Sequence, residues 1–304
     1  MTVTNDTLKL IGKTPVYRIG DTNVYVKLEK YNVGGSVKDR TVLGMLEAAE
    51  AAGKITNETI IVEASSGNTG ITLAALAAIK GLKAVVVMPE SMSKERRELI
   101  KAYGAQLVLT PKELGMKGAL AKADEIIAAN PGAITLGQFD NPANPDYHYR
   151  TTGAEILEQV PNVGVFVAGI GTGGTFTGVV RRLRETAPDL VAVAVEPAGS
   201  PVISEGRTGT HVIQGIGAGF IPANFDKELM NRVETVADEV AKGEVKTFMA
   251  ETGIGIGISA GAAIATAKKL AAEYPDKAIV AIAPDGVEKY LSMIEFDSAE
   301  YVKA

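Results

Sequence analysis

The 304-residue chain contains no cysteine. That excludes disulfides, thiolate zinc sites and a cysteine nucleophile. Histidine occurs only at His148 and His211. A metal site or a Ser-His-Asp triad would have to use one of these two, so the general base is sought among lysines and carboxylates. The sequence also lacks any uninterrupted apolar stretch of the ~18 residues that a membrane span requires. Its opening segment, 1–9, is polar and does not have the basic-then-apolar layout of a secretory leader. No charge of one sign is concentrated: the formal net charge is −5 with both signs interspersed, so no basic stripe argues for nucleic acid. These absences describe a cytoplasmic protein with neither a membrane nor a nucleic-acid partner.

What is present is 46% hydrophobic residues and 33 glycines, a mixture suited to short buried strands alternating with Ala-rich helices. The segments 16–19 and 24–28 read as a hairpin across the Gly20–Asp21 turn, with Val24, Val26 and Leu28 on one face. Continuous apolar runs follow at 59–64, 84–88, 106–110, 133–136, 163–168, 190–195 and 278–283, as expected of strands buried on both faces. Helix-length segments separate them, and Gly53, Gly81 and Gly104 stand where helices should stop. The alternation predicts an α/β fold with mainly parallel sheets flanked by helices. The turn-rich stretch 141–147 divides the chain into approximate lobes of 40–145 and 1–39 plus 146–304, with a ligand cleft expected between them.

Two glycine-rich loops each follow a buried run and open a helix: Ser65-Ser-Gly-Asn-Thr-Gly70 and Gly171-Thr-Gly-Gly-Thr175. At such junctions free backbone N–H groups and the helix dipole make a socket for an anion. Two sockets in one chain suggest a ligand with an anion at each end. Residues 169–174 also read as a dinucleotide loop, because Glu196 lies where a ribose-binding acid belongs. Lys38, in Ser36-Val-Lys-Asp-Arg40 before a helix expected over 41–52, has two compatible readings. It is a solvated charge behind a Ser36 N-cap, or an amine whose ammonium form is disfavoured by the helix N-terminus and which is therefore suited to Schiff-base chemistry.

Taken in order and spacing, the motifs identify a family. Ile11-Gly-Lys-Thr-Pro15, Gly34-Gly-Ser-Val-Lys-Asp-Arg40, Ser66-Gly-Asn-Thr-Gly70, the segment 88–97, Gln138-Phe-Asp-Asn-Pro-Ala-Asn-Pro145, Gly171-Thr-Gly-Gly-Thr175, Gln214-Gly-Ile-Gly-Ala-Gly-Phe-Ile-Pro222 and Lys289-Tyr-Leu-Ser292 resemble the cysteine synthase (O-acetylserine sulfhydrylase) family. That family belongs to the tryptophan-synthase-β-like, fold-type II enzymes of pyridoxal 5′-phosphate, with cystathionine β-synthase as a relative. The resemblance implies that Lys38 forms the Schiff base and that Gly171, Thr172, Gly173, Gly174 and Thr175 hold the cofactor phosphate. It further implies that Asn68 meets the ring's phenolic oxygen and that Ser259 faces the pyridine nitrogen. Ser65, Ser66, Gly67 and Thr69, with Gln138, would grip the substrate carboxylate. By spacing alone Ser259 also fits an N-cap for a helix over 262–272.

The reaction implied is β-replacement, making L-cysteine from O-acetyl-L-serine and sulfide through an α-aminoacrylate. The rivals are cystathionine β-synthase activity on the same scaffold and an NAD-dependent dehydrogenase built on 169–174 and Glu196. A homodimer and capture of a serine acetyltransferase C-terminal tail are implied as well. Val33, where the family commonly has proline, and residues 147–150 are expected to influence substrate choice. His211 and the segment 111–116 are expected to be structural or surface features.

Overall fold

The computed structural model describes residues 4–65 and 67–296. The strands are β1 (Val16–Arg18), β2 (Val24–Leu28), β3 (Ile60–Ala64), β4 (Lys83–Pro89), β5 (Gln106–Thr110), β6 (Ala133–Ile134), β7 (Val163–Gly169), β8 (Val191–Pro197), β9 (Arg232–Val236) and β10 (Ala278–Ala283). The helices are α1 (Lys38–Ala51), α2 (Asn68–Lys80), α3 (Lys94–Ala102), α4 (Gly115–Ala129), α5 (Ala143–His148), α6 (Ala154–Gln159), α7 (Gly174–Arg184), α8 (Val202–Glu205), α9 (Asp238–Thr252) and α10 (Ile258–Ala271). They surround a six-stranded sheet of order β1-β2-β10-β7-β8-β9 and a four-stranded sheet of order β5-β4-β3-β6. The β1–β2 hairpin is antiparallel, and every other pairing between these strands is parallel.

Continuous apolar runs form these strands because both faces of each sheet are covered. Along β7 and β8, Val165, Val167, Val193 and Val195 face the core shared with α9 and α10. Their alternates Phe166, Ala168, Ala192 and Ala194 pack with Phe176, Val179 and Val180 of α7. The period of two thus carries apolar residues to both sides. β9 was not among the expected strands. Its sequence, Arg-Val-Glu-Thr-Val, is mostly half-buried because it is the edge of the larger sheet, and an edge strand need not be apolar on both faces.

α1 begins at Lys38, not at residue 41, so Lys38 is its first residue. Ser36 gives it no N-cap: the cap position is Val37, without a side-chain cap bond, and the Ser36 hydroxyl accepts only from the Lys38 amide at 3.3 Å. Two other attachments fix where the helix starts. The Val37 N–H donates to the Pro284 carbonyl at 2.8 Å, tying the chain to the end of β10. Two residues past Lys38, the fully buried Arg40 donates to both oxygens of Glu29, at 2.7 and 2.9 Å, and to both of Glu155, at 2.7 and 2.7 Å. Lys27 donates to Glu155 at 2.7 Å, and the Thr14 hydroxyl donates to Glu29 at 2.6 Å. Two cations therefore balance two carboxylates. Burial works against the charge of Glu155, but its hydrogen bonds and proximity to Arg40 hold its pKa at about 2.

A buried ion group of this kind is costly to break, because each orphaned charge is left without water. Arg40→Met should therefore lower the unfolding free energy by about 3–5 kcal/mol, read from urea denaturation. A loss below 1 kcal/mol would show that the carboxylates find other partners.

Candidate active site

The C-terminal ends of the parallel strands open onto one cavity of about 460 Å³, which is where ligands of open α/β sheets bind. Its wall contains Lys38, Asn68, Thr69, Gln138, Gly171, Thr172, Gly173, Thr175 and Ser259. Nine residues singled out from sequence, drawn from positions 38 to 259, thus share one space. Three others do not line it. The Ser65 hydroxyl turns into the loop and accepts from the Gly67 and Gly70 amides at 3.0 and 2.9 Å. Gly67 has φ +148, and a Cβ there would overlap the Arg96 side chain. Gly174 packs on Asn144. Ser66 lies outside the described residues.

Both loops are strand-to-helix junctions. After β7 the chain turns at Gly173, whose φ of +83 a side chain would strain, and α7 opens with Thr175 in its first turn. The Thr175 hydroxyl lies 3.3 Å from His148 Nε2, which is also 3.0 Å from the Thr41 hydroxyl. His148 is fully buried, and its pKa falls to about 3, chiefly through desolvation and then through the Arg40 charge. It is therefore a neutral hydrogen-bonding group that fixes Thr175. After β3, α2 opens at Asn68. Thr69 donates to Gln138 Oε1 at 2.6 Å, and Gln138 Nε2 donates to the Ala64 carbonyl at 2.7 Å. Ser259 is the second residue of α10, behind a Gly257 cap. The N-cap reading of Ser259 is thus replaced by a place inside the first turn, with the residue on the cavity wall.

Lys38 is half-buried, with its side chain on the cavity. Its pKa falls to about 8; burial is the largest cause, Asp285 opposes the fall and Arg96 adds to it. The weakened basicity expected of a helix N-terminus is present, but withheld water is its main source.

Several residues at the site carried no assigned role. Asp285 accepts from Asn68 Nδ2 and from the Tyr290 hydroxyl, both at 2.6 Å. Arg96 donates to the Tyr290 hydroxyl at 2.6 Å. Glu63, buried in β3, accepts from the Thr135 hydroxyl at 3.0 Å and the Leu136 amide at 3.1 Å, holding the turn that presents Gln138. A lone acid inside an apolar run was the signal for it. His211 and Met116, expected to be structural or surface features, both line the cavity. His211 Nε2 lies 3.1 Å from the Gly217 carbonyl. Val33 and residues 147–150, linked above to substrate choice, do not line the cavity. Val33 is exposed, and Tyr147 packs under α1 against Gly44.

The dinucleotide reading fails on Glu196. Its carboxylate accepts from the Ile203 amide at 2.7 Å, the Ser204 amide at 3.0 Å and the Ser204 hydroxyl at 2.6 Å. It is buried and spent on the start of α8, so no ribose can reach it.

Pyridoxal phosphate fits the residues that remain. The Thr172 and Thr175 hydroxyls and the N-terminus of α7 suit a phosphate, Lys38 supplies an amine of lowered pKa, and Asn68 Oδ1 is buried with no hydrogen-bond partner among the described residues. Residues 7–285 match the family described as "Pyridoxal-phosphate dependent enzyme", and the chain belongs to that family. More narrowly, it is 47% identical over 293 residues to a cysteine synthase of Staphylococcus aureus (strain Mu50 / ATCC 700699), covering 93% of this chain and 94% of that one. Among solved structures, O-ureido-L-serine synthase superposes with a TM-score of 0.94 at 42% identity, covering 99% of this chain and 98% of that one. An O-acetylserine dependent cystathionine β-synthase from Helicobacter pylori gives a TM-score of 0.92 at 37% identity, over 96% and 98%.

Two expectations follow from the site. In the cofactor-free full-length chain, labelling of Lys38 by an amine-selective reagent should rise with a midpoint near pH 8, read by peptide mass spectrometry; a midpoint above 10 would contradict the burial of this amine. His148 has a folded pKa of about 3, below the ~6.5 of an unfolded histidine. The unfolded chain therefore binds the extra proton between these values, and stability present above pH 6.5 is lost as pH falls toward 3. In His148→Gln, unfolding free energy measured against pH should decline less steeply over that interval than in the wild type.

Proposed function

We propose that this enzyme replaces the acetoxy group of O-acetyl-L-serine with sulfide, forming L-cysteine and acetate. The observation that carries this reading is Lys38: an amine of lowered pKa on the wall of a cavity that also receives two helix N-termini.

In this reading Gly171, Thr172, Gly173 and Thr175, backed by Gly174, hold the cofactor phosphate at the start of α7. Asn68 and Ser259 contact the ring. Bound pyridoxal phosphate supplies an electron sink for the pair left at the substrate Cα. Ser259 is a neutral hydroxyl and does not enforce a protonated ring nitrogen, which favours prompt elimination over long storage of that charge. Thr69 and Gln138 hold the substrate carboxylate at the start of α2, with Ser65 and Gly67 shaping the loop. Lys38 Nζ takes the α-proton, and acetate leaves with the electron pair of the Cβ–O bond. Hydrosulfide then forms the S–Cβ bond, and Nζ returns the proton to Cα. Positioning and one acid–base group are sufficient for this sequence.

The rival on the same scaffold is serine with homocysteine; the Helicobacter neighbour, by contrast, is described as an O-acetylserine dependent cystathionine β-synthase. The proposal extends to two lobes divided near 141–147 and a cytoplasmic setting, and the resemblance adds a homodimer and capture of a serine acetyltransferase tail. Among the described residues no helix is long and apolar enough to cross a membrane.

The test is product formation by the cofactor-loaded enzyme. O-acetylserine with sulfide should yield cysteine at a higher kcat/KM than serine with homocysteine yields cystathionine. Lys38→Ala should reduce turnover by at least ~10³-fold, on the scale of removing a general acid–base group. Preference for the serine and homocysteine pair would move the assignment to cystathionine synthesis.

A further inference from the structure

Asp285 is fully buried beyond the end of β10, and the chain immediately before Lys38 is strapped to it. Ser36 pairs with Asp285 through a backbone bridge, and the Val37 N–H donates to the Pro284 carbonyl at 2.8 Å. The Gly257 N–H donates to the Asp285 carbonyl at 3.0 Å, which joins α10 to the same point. On its side chain, Oδ2 receives Asn68 Nδ2 and the Tyr290 hydroxyl, both at 2.6 Å, and lies 3.7 Å from Arg96 Nη2. Oδ1 is buried with no hydrogen-bond partner among the described residues. A carboxylate with one committed and one open oxygen therefore sits between the α1 start, the α2 start and α3.

The surrounding charges are few. Arg96 from α3 and Asp285 are the groups whose charges act on Lys38. The next ones around that turn are occupied elsewhere: Asp39 accepts from the Gly34 amide and the Thr72 hydroxyl, and Lys289 donates to the Gly34 and Gly35 carbonyls at 3.1 and 2.8 Å. A lysine that removes a proton from Cα becomes an ammonium in a place where burial and Arg96 both disfavour it. Without an opposing charge, such a lysine would be a poor proton acceptor.

We propose that Asp285 is the positioning residue of this site, supplying the counter-charge that lets Lys38 carry the α-proton and orienting Asn68 across the cavity. It touches Asn68 and is strapped beside Lys38, and it acts on the reaction through them. The inference rests on the reading of Lys38 as the proton carrier.

The test compares the labelling midpoint of Lys38 in cofactor-free, full-length wild type, Asp285→Asn and Arg96→Met, each shown to regain its cofactor when pyridoxal phosphate is returned. Asp285→Asn should lower the midpoint from about 8 by ~1 unit or more, and Arg96→Met should raise it. General damage to the fold would not move the two in opposite directions. Asp285→Ser, which keeps a hydroxyl to accept from Asn68, serves if the Asn variant does not fold. In the loaded enzyme, Asp285→Asn should lower kcat for acetate release from O-acetylserine with little change in KM. An unmoved midpoint overturns the inference while a cysteine-forming wild type leaves the functional reading intact. A wild type that performs no β-replacement overturns that reading, and the inference with it.

Discussion

A guanidinium with no access to water has to be surrounded by acceptors, and the placing of Arg40 follows from that requirement. It draws Glu29 from the segment after β2, Glu155 from α6 and the Thr14 hydroxyl from the leader into one group, with Lys27 closing it. Arg40, Lys27 and Glu29 cannot relax into solvent, and Glu155 is exposed only at the margin, so the group tolerates little displacement. Arg40 belongs to the first turn of α1, and fixing it fixes Lys38 two residues earlier. The placing of Lys38 thus depends on a charge cluster that does not line the cavity.

The cavity is assembled from helix starts. Lys38 opens α1, Asn68 opens α2, Thr175 lies in the first turn of α7 and Ser259 in that of α10. Parallel strands make this arrangement natural for α2 and α7, since the C-terminal ends of β3 and β7 feed them, whereas α10 follows α9 and is brought to the cavity by the Gly257 bond to Asp285. Four helix N-termini make a positive environment suited to a phosphate and a carboxylate. It would also expel the proton from a buried lysine. His148 resolves part of the tension by staying neutral, and the negative charge of Asp285 opposes the fall in the basicity of the amine.

The inner strands were legible because burial on both faces demands continuous apolar runs, and β2 and β10 coincide with the segments expected. β5, an edge strand with Leu109 exposed, coincides as well because its run is apolar although one face is open. β9 escaped because an edge strand is freed from that demand. The sockets and Lys38 were legible because glycine, hydroxyl and amine chemistry is local to a loop. Ser65 shows the limit of that reading: its hydroxyl satisfies its own loop amides instead of facing the cavity. Glu196 shows the same limit, for an acid at the right spacing turned out to be spent on α8.

By itself, the sequence determined the alternation of buried strands and helices, the two glycine-rich strand-to-helix junctions and the lysine that precedes them, since each depends on residues within a few positions of one another. Only the tertiary structure decided how basic that lysine is and what steadies its neighbours. Those properties come from withheld water and from partners such as Asn68 and Asp285, which are 217 positions apart and meet only after both sheets have closed around one cavity.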